Sequence, residues 1–569
     1  MTLAHTDDRQ WWKEAVVYQI YPRSFNDTTG SGNGDLPGIT ARLDYLADLG
    51  VDVVWLSPVY DSPMNDNGYD IRDYRAIANL FGTMADFDEM LAGMHERGIR
   101  LMMDLVVNHT SSEHDWFRAS RRSTDNPYRN YYHWQPPAED GGPPTNWRAF
   151  FGGSAWTFDE ATGQYYLHLF DETQPDLNWT NPAVRAEVYD CMRFWLEKGV
   201  DGFRMDVIPL ISKPPFEDDP TPNRGDLHEL YANGPKVHDY LREMHRRVLA
   251  DYDVMTVGEG HGIRPDDALL YAGTDRDELQ SFFQFDHIHI MRDDDDWNRP
   301  ADWTLPELKQ ALTEWDRAFG DRAWPSVFLG NHDLPRAVSA FGDDRPACRE
   351  ASAKMLATLL LTLRGTPYIY QGDEIGMTNA PFDTLDDFVD LNTINDVREK
   401  VEAGGDRETA LEHHRQISRD HARTPMQWDA SEHAGFTDRT PWLGVNPNYD
   451  TVNVEAARKT PESVYHYYRR LIRLRHRRDV LVYGDYDLLA PDHPDVYAYR
   501  RTLGDTVVVV LLNFTADTVH FRWPGDDAPR SARRLIGTHE EAPSLGASMG
   551  LRPYEGRVDE MAPGTEEPA

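Results

Sequence analysis

Cysteine is scarce in this chain, because its 569 residues include only Cys191 and Cys348. Neither cysteine belongs to a paired motif, so the sequence indicates neither a disulfide framework nor a thiolate metal site. Long apolar runs are also missing, and no stretch reaches the roughly 20 residues that a membrane-spanning helix needs. The first residues, MTLAHTDDRQWWKEA, have neither a basic start nor an apolar core, which argues against a secretory signal. We expect a soluble cytoplasmic protein without a membrane partner.

Positive charge is scarce as well. The chain has 96 acidic and 58 basic residues, a formal net charge of −38, and only eight of the basic residues are lysines. This acid excess argues against nucleic acid or an anionic membrane as a partner, because both are polyanions. It also predicts a halophilic protein adapted to a salt-rich cytoplasm, since dissolved ions screen the repulsion among carboxylates. The sequence leaves the oligomeric state open between a monomer and a small homo-oligomer.

Apolar residues, by contrast, are plentiful: 40% of the chain is hydrophobic and 11% is aromatic, enough for a large core and more than one domain. Short β-rich runs alternate with amphipathic segments. The eight candidate strands are residues 15–21, 51–57, 99–107, 202–208, 254–259, 281–285, 325–329 and 366–371. Eight strands with helices between them predict an α/β fold, a (β/α)8 TIM barrel.

The predicted barrel exceeds the roughly 250 residues usual for this fold, and the excess lies in insertions. Residues 110–178, which lack a helical period, predict a subdomain inserted after strand three. A second insertion, residues 382–450, follows strand eight. The barrel then occupies residues 1–109 and 179–483. Alternating runs predict a C-terminal antiparallel β-sandwich domain over residues 484–569, with a disordered acidic tail from residue 559.

Acidic side chains follow three of the predicted strands. The carboxyl ends of the strands hold the active site in such barrels, and Asp206, Glu259 and Asp333 end strands four, five and seven. Arg204 precedes Asp206 by two positions, so their side chains share one face of the strand. A carboxylate beside a permanent cation stays ionised, as a nucleophile must. Glu259 has no cation beside it in the sequence, which suits a group that donates a proton.

The segments VVNHTS, DGFRMDV, TVGEG and LGNHD resemble the four characteristic segments of the α-amylase family of glycoside hydrolases. DNGYDIRDY, LFDETQPDLNW and RDHARTPMQWD resemble its α-glucosidase and oligo-1,6-glucosidase branch. This resemblance implies a retaining exo-acting α-glucosidase that removes terminal glucose from maltose- or isomaltose-type oligosaccharides through a covalent glycosyl-enzyme intermediate. Asp206 would be the nucleophile, Glu259 the general acid/base, and Asp333 the carboxylate that holds the sugar hydroxyls.

The same resemblance implies a set of substrate-binding residues: Asp66, Tyr69, His109, Phe170, Gln174, Arg204, Val207, His332 and Arg423. Asp66 and Arg423 would close the far wall of the pocket, which restricts cleavage to the chain end. In this branch, valine after the nucleophile accompanies α-1,6 bonds, so Val207 favours isomaltose-type substrates. The sequence GHGI after Glu259 departs from the MPG-like continuation of strict α-1,6 enzymes. The choice between α-1,4 and α-1,6 bonds therefore stays open.

This chemistry requires no cofactor. Residues 27–35 (DTTGSGNGD) resemble the family's calcium or magnesium loop. Its ligands would be Asp27, Thr29, Ser31, Asn33 through its carbonyl, and Asp35. Thr29 and Ser31 replace the usual Asn and Asp, and a hard cation prefers carboxylate and carbonyl oxygens, so we expect weak binding. An empty loop, or one that holds a monovalent ion, fits the sequence equally well.

Two other functions stay open at this point. A transglycosylating sucrose or trehalose isomerase of the same family would use the same intermediate, but the chain lacks the RLDRD segment typical of such isomerases. A catalytically silent homologue that serves as a scaffold or transporter subunit would lack the acid or the nucleophile, or would carry a membrane span. This chain keeps all three acids and has no apolar run of that length, which argues against a silent protein.

Overall fold

Eight parallel strands close into a barrel and are neighbours in chain order. The computed structural model describes residues 9–221, 226–525, 528, 531–539 and 544–562. We label the barrel strands β1 to β8: Val17–Ile20, Val53–Leu56, Arg100–Leu105, Gly202–Met205, Met255–Glu259, Ser281–Phe283, Trp324–Val327 and Thr366–Tyr370. The predicted TIM barrel is confirmed, and each predicted strand contributes to it.

The register between neighbouring strands decides which side chains meet at the carboxyl end of the barrel. Strand β4 pairs with β3 so that Arg204 lies beside Asp104. It pairs with β5 so that Met205 lies beside Gly258. The next residues along these strands, Asp206 and Glu259, therefore leave the barrel side by side.

Helices cover the outside of the barrel, which explains why its strands are continuous apolar runs. The main helices are Leu36–Ala41, Leu43–Leu49, Met84–Glu96, Pro182–Lys198, Val237–Arg247, Leu305–Phe319, Arg349–Thr362 and Val464–His476. Shorter helices are Trp11–Glu14, Asp115–Ser120, His228–Tyr231, Ala268–Ala272, Asp286–His289, Ala337–Phe341, Val454–Lys459 and Asp479–Tyr483. None of the helices in the described part of the chain has the length and apolar character to cross a membrane.

The two insertions meet above the carboxyl end of the barrel. The first is built around a three-stranded antiparallel sheet of Trp134–Gln135, Gln164–Leu167 and Trp156–Asp159. The second contains the helices Leu391–Glu402, Arg407–Ile417 and Asp420–Arg423. Arg148 of the first insertion lies 3.2 Å from Glu399 of the second, and Asn395 donates to the carbonyl of Phe151 at 3.0 Å. Together they form a wall around the mouth of the barrel.

The C-terminal part consists of two antiparallel sheets. Five strands form one sheet, in the order Asp485–Leu488, Val496–Leu503, Thr506–Asn513, Gly556–Met561 and Ala532–Gly537, and Val519–Arg522 pairs with Ser548–Leu551 in the other. Alternate residues of the long strands face opposite sides, as a period of two requires. Tyr497 belongs to the main core with the barrel helices, whereas Val496 packs with Phe521 between the sheets. The predicted antiparallel sandwich is confirmed.

The predicted start of a disordered tail at residue 559 is wrong. Asp559 is part of the last strand and accepts hydrogen bonds from Arg557 at 2.6 Å and Arg534 at 3.1 Å. These two arginines explain why an acidic residue is ordered here. The remainder of the predicted tail, residues 563–569, lies outside the described residues. We propose the predicted domain boundaries, after residues 109, 178 and 483, for the domains that these elements form.

The net charge of −38 leads to the first testable prediction. We expect the melting temperature to rise on the order of 5 °C between dilute buffer and molar potassium chloride, because salt shortens the range over which carboxylates repel each other. Circular dichroism melts over a series of salt concentrations measure this shift. An unchanged melting temperature would contradict adaptation to high salt, which stays a prediction here.

Candidate active site

Arg204 lies at the centre of the carboxyl end of the barrel and binds three carboxylates. Its Nη1 donates to Asp104 at 2.8 Å and to Asp206 at 2.6 Å, and its Nη2 lies 2.6 Å from Glu259. The predicted contact between Arg204 and Asp206 is confirmed. No cation is adjacent to Glu259 in the sequence, but in the fold Arg204 reaches it from the neighbouring strand.

The charges of this cluster do not balance, since three carboxylates share one guanidinium group. Burial raises the pKa of Asp206 well above its usual range, and although Arg204 opposes the shift, Glu259 and Asp104 add to it. Burial also raises the pKa of Asp104 to about 6, against the attraction of Arg204. The expectation that Arg204 simply keeps Asp206 ionised is therefore corrected. The substrate-free cluster therefore binds a proton more tightly than isolated carboxyl groups would.

Val207 connects the two central acids through its backbone. It has a left-handed conformation, with φ of 33° and ψ of 40°, which for a β-branched residue costs about 1–3 kcal/mol. In this conformation its N–H donates to Oε2 of Glu259 at 2.9 Å. Its side chain packs with Leu210 and Trp147 and lines the cavity above the acids.

Asp333 follows β7 and is surrounded by positive or polar groups. Arg423 donates to its Oδ1 at 2.7 Å, Arg419 donates to the same oxygen at 3.3 Å, and His332 lies 3.1 Å from Oδ2. Burial acts to raise the pKa of Asp333, but His332, Arg419 and Arg423 hold it well below its usual range. Asp333 is therefore ionised at all pH values at which the protein would work.

Asp66 lies in the loop after β2 and lines the same cavity. Burial raises its pKa to about 7, although Arg419 and Arg423 oppose the shift. Gln174 donates to Asp66 at 3.1 Å and lies 3.2 Å from Nε2 of His109. Burial lowers the pKa of His109 to about 3, so its ring is neutral and its nitrogens serve as hydrogen-bond partners only.

Two aromatic rings complete the wall. Tyr69 stacks on His332 with the ring centres 5.2 Å apart and the planes 3° from parallel, and its hydroxyl donates to Asp104 at 3.0 Å. Phe170 lies 5.1 Å from His109 and stacks on Phe150 at 5.0 Å. Each ring is thus fixed by a second ring before any substrate arrives.

These side chains surround a cavity of about 530 Å³. Eight of the twelve predicted catalytic and substrate-binding residues line it: Asp66, Tyr69, His109, Phe170, Asp206, Val207, Glu259 and Asp333. The other four are buried behind this lining, each with at most 1% of its surface exposed: Gln174, Arg204, His332 and Arg423. We infer that these four position the lining residues rather than touch the substrate directly.

Sequence reasoning missed Arg419, which also lines the cavity. Its guanidinium donates to Asp390 at 2.8 Å through Nε and lies 3.7 Å from Asp66, in addition to its bond to Asp333. A signal was present, because Arg419 opens the segment RDHARTPMQWD and lies one helical turn before Arg423. Residues four apart on a helix share a face.

The second testable prediction concerns Arg419. Arg419→Met is expected to lower the free energy of unfolding by about 3 kcal/mol or more, because it leaves the buried carboxylate of Asp390 without its main cation. Urea denaturation followed by tryptophan fluorescence measures the change. Arg415→Met is the matched control, since Arg415 pairs with the exposed acids Glu408 and Glu412, and its loss should lower the free energy of unfolding far less. Equal losses of unfolding free energy in the two variants would show that Arg419 is not the main cation beside Asp390.

The loop at residues 27–35 does not have the arrangement of a cation site. The carboxylate of Asp27 accepts hydrogen bonds from within the protein, namely from the N–H groups of Thr29, Gly30, Ser31 and Gly32 and the hydroxyl of Thr437. Asp35 accepts from Thr28 and caps the following helix through the N–H of Gly38 at 2.6 Å. The carbonyl of Asn33 accepts from the Ser31 hydroxyl at 3.1 Å.

The predicted ligands Asp27, Thr29, Ser31, Asn33 and Asp35 therefore do not fit a hard cation. Their oxygens already have donors, and the hydroxyls of Thr29 and Ser31 are used inside the loop. Elsewhere in the described residues, no three His, Cys, Asp or Glu side chains converge as a metal site would require. The family resemblance implied a calcium or magnesium ion in this loop. In the structure, hydrogen bonds hold the loop in its conformation.

A closed parallel barrel with a cluster of acids at its carboxyl end is an arrangement that glycoside hydrolases use. Comparison with known proteins agrees: residues 19–484 match the family model "Alpha amylase, catalytic domain". The chain therefore belongs to the α-amylase family. Within that family it falls in the oligo-1,6-glucosidase branch of the α-glucosidases, as its relatives show.

The curated relatives match over nearly their whole length. An oligo-1,6-glucosidase of Parageobacillus thermoglucosidasius is 54% identical over 97% of this chain and 99% of its own, and one of Halalkalibacterium halodurans is 51% identical over 96% and 98%. Among solved structures, a mutant of isomaltulose synthase from Erwinia rhapontici, in complex with its natural substrate sucrose, is 47% identical. It superposes with a TM-score of 0.95 over 98% of this chain and 100% of its own.

Proposed function

We propose that this protein is a retaining, exo-acting α-glucosidase that hydrolyses terminal α-linked glucose from short oligosaccharides in the cytoplasm. The supporting observation is that Asp206 and Glu259 bind the two outer nitrogens of one guanidinium, each at 2.6 Å. Two carboxylates bound in this way must lie close together. That suits a covalent mechanism, which needs carboxyl groups about 5–5.5 Å apart, rather than direct attack by water, which needs a wider gap.

In the first step, an oxygen of Asp206 attacks the anomeric carbon of the terminal glucose. The bond from that carbon to the glycosidic oxygen breaks, and Glu259 transfers its proton to the departing oxygen. In the second step, ionised Glu259 takes a proton from water, and the water oxygen displaces Asp206 from the anomeric carbon. Both acids then have their starting protonation. Two inversions at one carbon retain the α configuration.

The proposed division of roles requires the substrate to move the shared proton, because burial raises the pKa of Asp206 in the substrate-free cluster. Arg204 can compensate only part of the charge of three acids, so one proton stays with the cluster when the pocket is closed. In the proposed substrate complex this proton resides on Glu259, where the glycosidic oxygen accepts it. Asp206 keeps its 2.6 Å bond from Nη1 of Arg204 and acts as the anion.

The remaining residues would hold the terminal glucose. Asp333, kept ionised by two arginines, can accept hydrogen bonds from the sugar hydroxyls as the ring distorts. His109 and Asp66, joined by Gln174, offer further partners on the other side. Because the two insertions meet across the mouth of the pocket, we propose that only a chain end can reach Asp206.

We further propose a preference for α-1,6 bonds. The buried side chain of Val207 narrows the cavity beside the acid/base, and the relatives in this branch are named oligo-1,6-glucosidases. A single apolar side chain contributes only about 1–3 kcal/mol of discrimination. The experiment is to compare initial rates on isomaltose and maltose at high potassium chloride. A kcat/KM at least about 10-fold higher for isomaltose is the expected result. Faster cleavage of maltose would contradict the proposed preference for α-1,6 bonds.

The likeness to an isomaltulose synthase keeps sugar transfer as a second candidate. Transfer would use the same intermediate, with a sugar hydroxyl in place of water. Incubation with sucrose separates the two functions. Release of free glucose and fructose supports hydrolysis, and a rearranged disaccharide as the main product would favour isomerisation.

A further inference from the structure

Arg292 is a buried cation without an acidic partner in the wall of the substrate cavity. It follows the short helix after β6, has 7% of its surface exposed and lines the same cavity as Asp206 and Glu259. Within the described part of the chain, no carboxylate lies within 4.0 Å of its guanidinium, and its Nε has no hydrogen-bond partner. Burial lowers the pKa of Arg292 to about 10, with no acid to oppose the shift.

The one hydrogen bond from this side chain is long. Nη2 donates to the carbonyl of Ile417 at 3.4 Å, and the guanidinium carbon lies 5.6 Å from the centre of the Trp297 ring. An arginine carries five N–H donors, and leaving even one of them buried without an acceptor, as Nε is here, is costly. A protein tolerates such a group when something outside the chain supplies the acceptors.

The other cations in this wall are paired, which makes Arg292 different from them. Lys400 lies 2.9 Å from both Asp296 and Asp396, and Arg148 lies 3.2 Å from Glu399. Their donors serve to hold the two insertions and the loop after β6 together. Apart from the long hydrogen bond to Ile417, the donors of Arg292 have no such structural use.

We propose that Arg292 binds the second sugar unit of the substrate. This inference rests on the proposed function, in which the terminal glucose occupies the bottom of the cavity among Asp66, His109 and Asp333. The leaving sugar must then lie farther out, in the part of the cavity lined by the loop after β6. The N–H groups of Arg292 donate to the hydroxyl oxygens of that sugar, and the adjacent Trp297 gives it an apolar face. The ligand is a neutral sugar with free hydroxyls.

The inference predicts opposite effects on binding and on stability. Arg292→Met keeps the length of the side chain and removes its donors. The KM for isomaltose is expected to rise about 10-fold or more, as expected for lost hydrogen bonds to a charged group, with kcat changed less. The kinetics on p-nitrophenyl α-glucoside should stay within about 2-fold, because its leaving group offers no sugar hydroxyls. The melting temperature should stay equal or rise, because an unpaired buried charge has been replaced by an apolar group.

The controls separate this inference from the proposed function. Arg299→Met removes an arginine of the same loop that pairs with Asp293 and should leave both substrates unaffected. Arg292→Lys, which keeps the charge but not the planar fork, should raise the KM for isomaltose by an intermediate amount. If the wild-type protein cleaves both substrates and Arg292→Met leaves their ratio unchanged, the inference about Arg292 is wrong and the proposed function stands. If the melting temperature falls and both substrates suffer equally, Arg292 has a structural role instead. If the wild-type protein cleaves neither substrate, both proposals fail.

Discussion

Asp206→Asn is expected to lower kcat on isomaltose by about 10⁴-fold or more, because the amide cannot form the covalent bond to the anomeric carbon. Steady-state assays sensitive enough to detect a residual rate of this size measure the effect. Asp201→Asn is the matched control, since Asp201 lies at the opposite end of β4 and contacts His95 outside the cavity. It should leave kcat within about 2-fold of the wild type.

The loss of activity should not come from unfolding. Burial gives Asp206 a raised pKa in the folded state, so the folded protein holds a proton that the unfolded chain releases above about pH 4. Asp206 therefore contributes less to stability as the pH rises through that region towards neutrality. Asp206→Asn removes this penalty and should melt at the same temperature as the wild type or higher at pH 7. Retained hydrolysis in a folded variant would show that another residue is the nucleophile.

Glu259→Gln is expected to lower kcat/KM on isomaltose by about 10³-fold, which is within the range of general acid catalysis. The loss should depend on the leaving group. A nitrophenolate leaves readily without a proton, so cleavage of p-nitrophenyl α-glucoside in the first step should fall far less than cleavage of isomaltose. Added azide, which needs no base to attack the glycosyl-enzyme, should restore turnover of p-nitrophenyl α-glucoside by Glu259→Gln and give α-glucosyl azide.

Glu399→Gln offers the matched control for the acid. Glu399 lines the same cavity but lies at its mouth and binds Arg148. Glu399→Gln should change the rates on isomaltose and on p-nitrophenyl α-glucoside by similar factors, and added azide should not raise either rate. If Glu259→Gln loses the same factor of activity on both substrates and azide does not restore it, Glu259 is not the acid/base.

The barrel and its acids could be predicted because the necessary signals are local. Strands such as Val53–Leu56 are short apolar runs between helices of clear period, and Arg204 and Asp206 share a face because side chains alternate along a strand. The acids at strand ends come together in any closed parallel barrel, whatever the details of packing.

What the sequence could not predict depends on contacts between distant segments. The cation beside Glu259 comes from β4, and only the register between β4 and β5 places it there. Arg419 reaches Asp390, Asp333 and Asp66 because the second insertion folds over the barrel. The hydrogen bonds that fill the loop around Asp27 include one from Thr437, 410 positions away.

The backbone conformation also differs from the one that the sequence pattern predicts in two places. Residues 39–49 have the apolar spacing of one amphipathic helix, but the helix is broken at Arg42, which leaves helical geometry with φ of −108° and ψ of 7°. Its guanidinium stacks on Trp428, 4.0 Å from the ring centre. Val207 was expected to continue a strand but adopts a left-handed turn and donates to Glu259. In both cases a tertiary contact outweighs the intrinsic preference of the residue.

In the proposed mechanism, one guanidinium holds a nucleophile and an acid close enough for a two-step reaction. The most direct measurement is the configuration of the first glucose released from isomaltose, followed by proton NMR in the first minutes, before mutarotation mixes the anomers. We expect α-glucose to appear first, as two inversions at the anomeric carbon require. Initial release of β-glucose would mean that water attacks in one step, and Asp206 could not be the nucleophile.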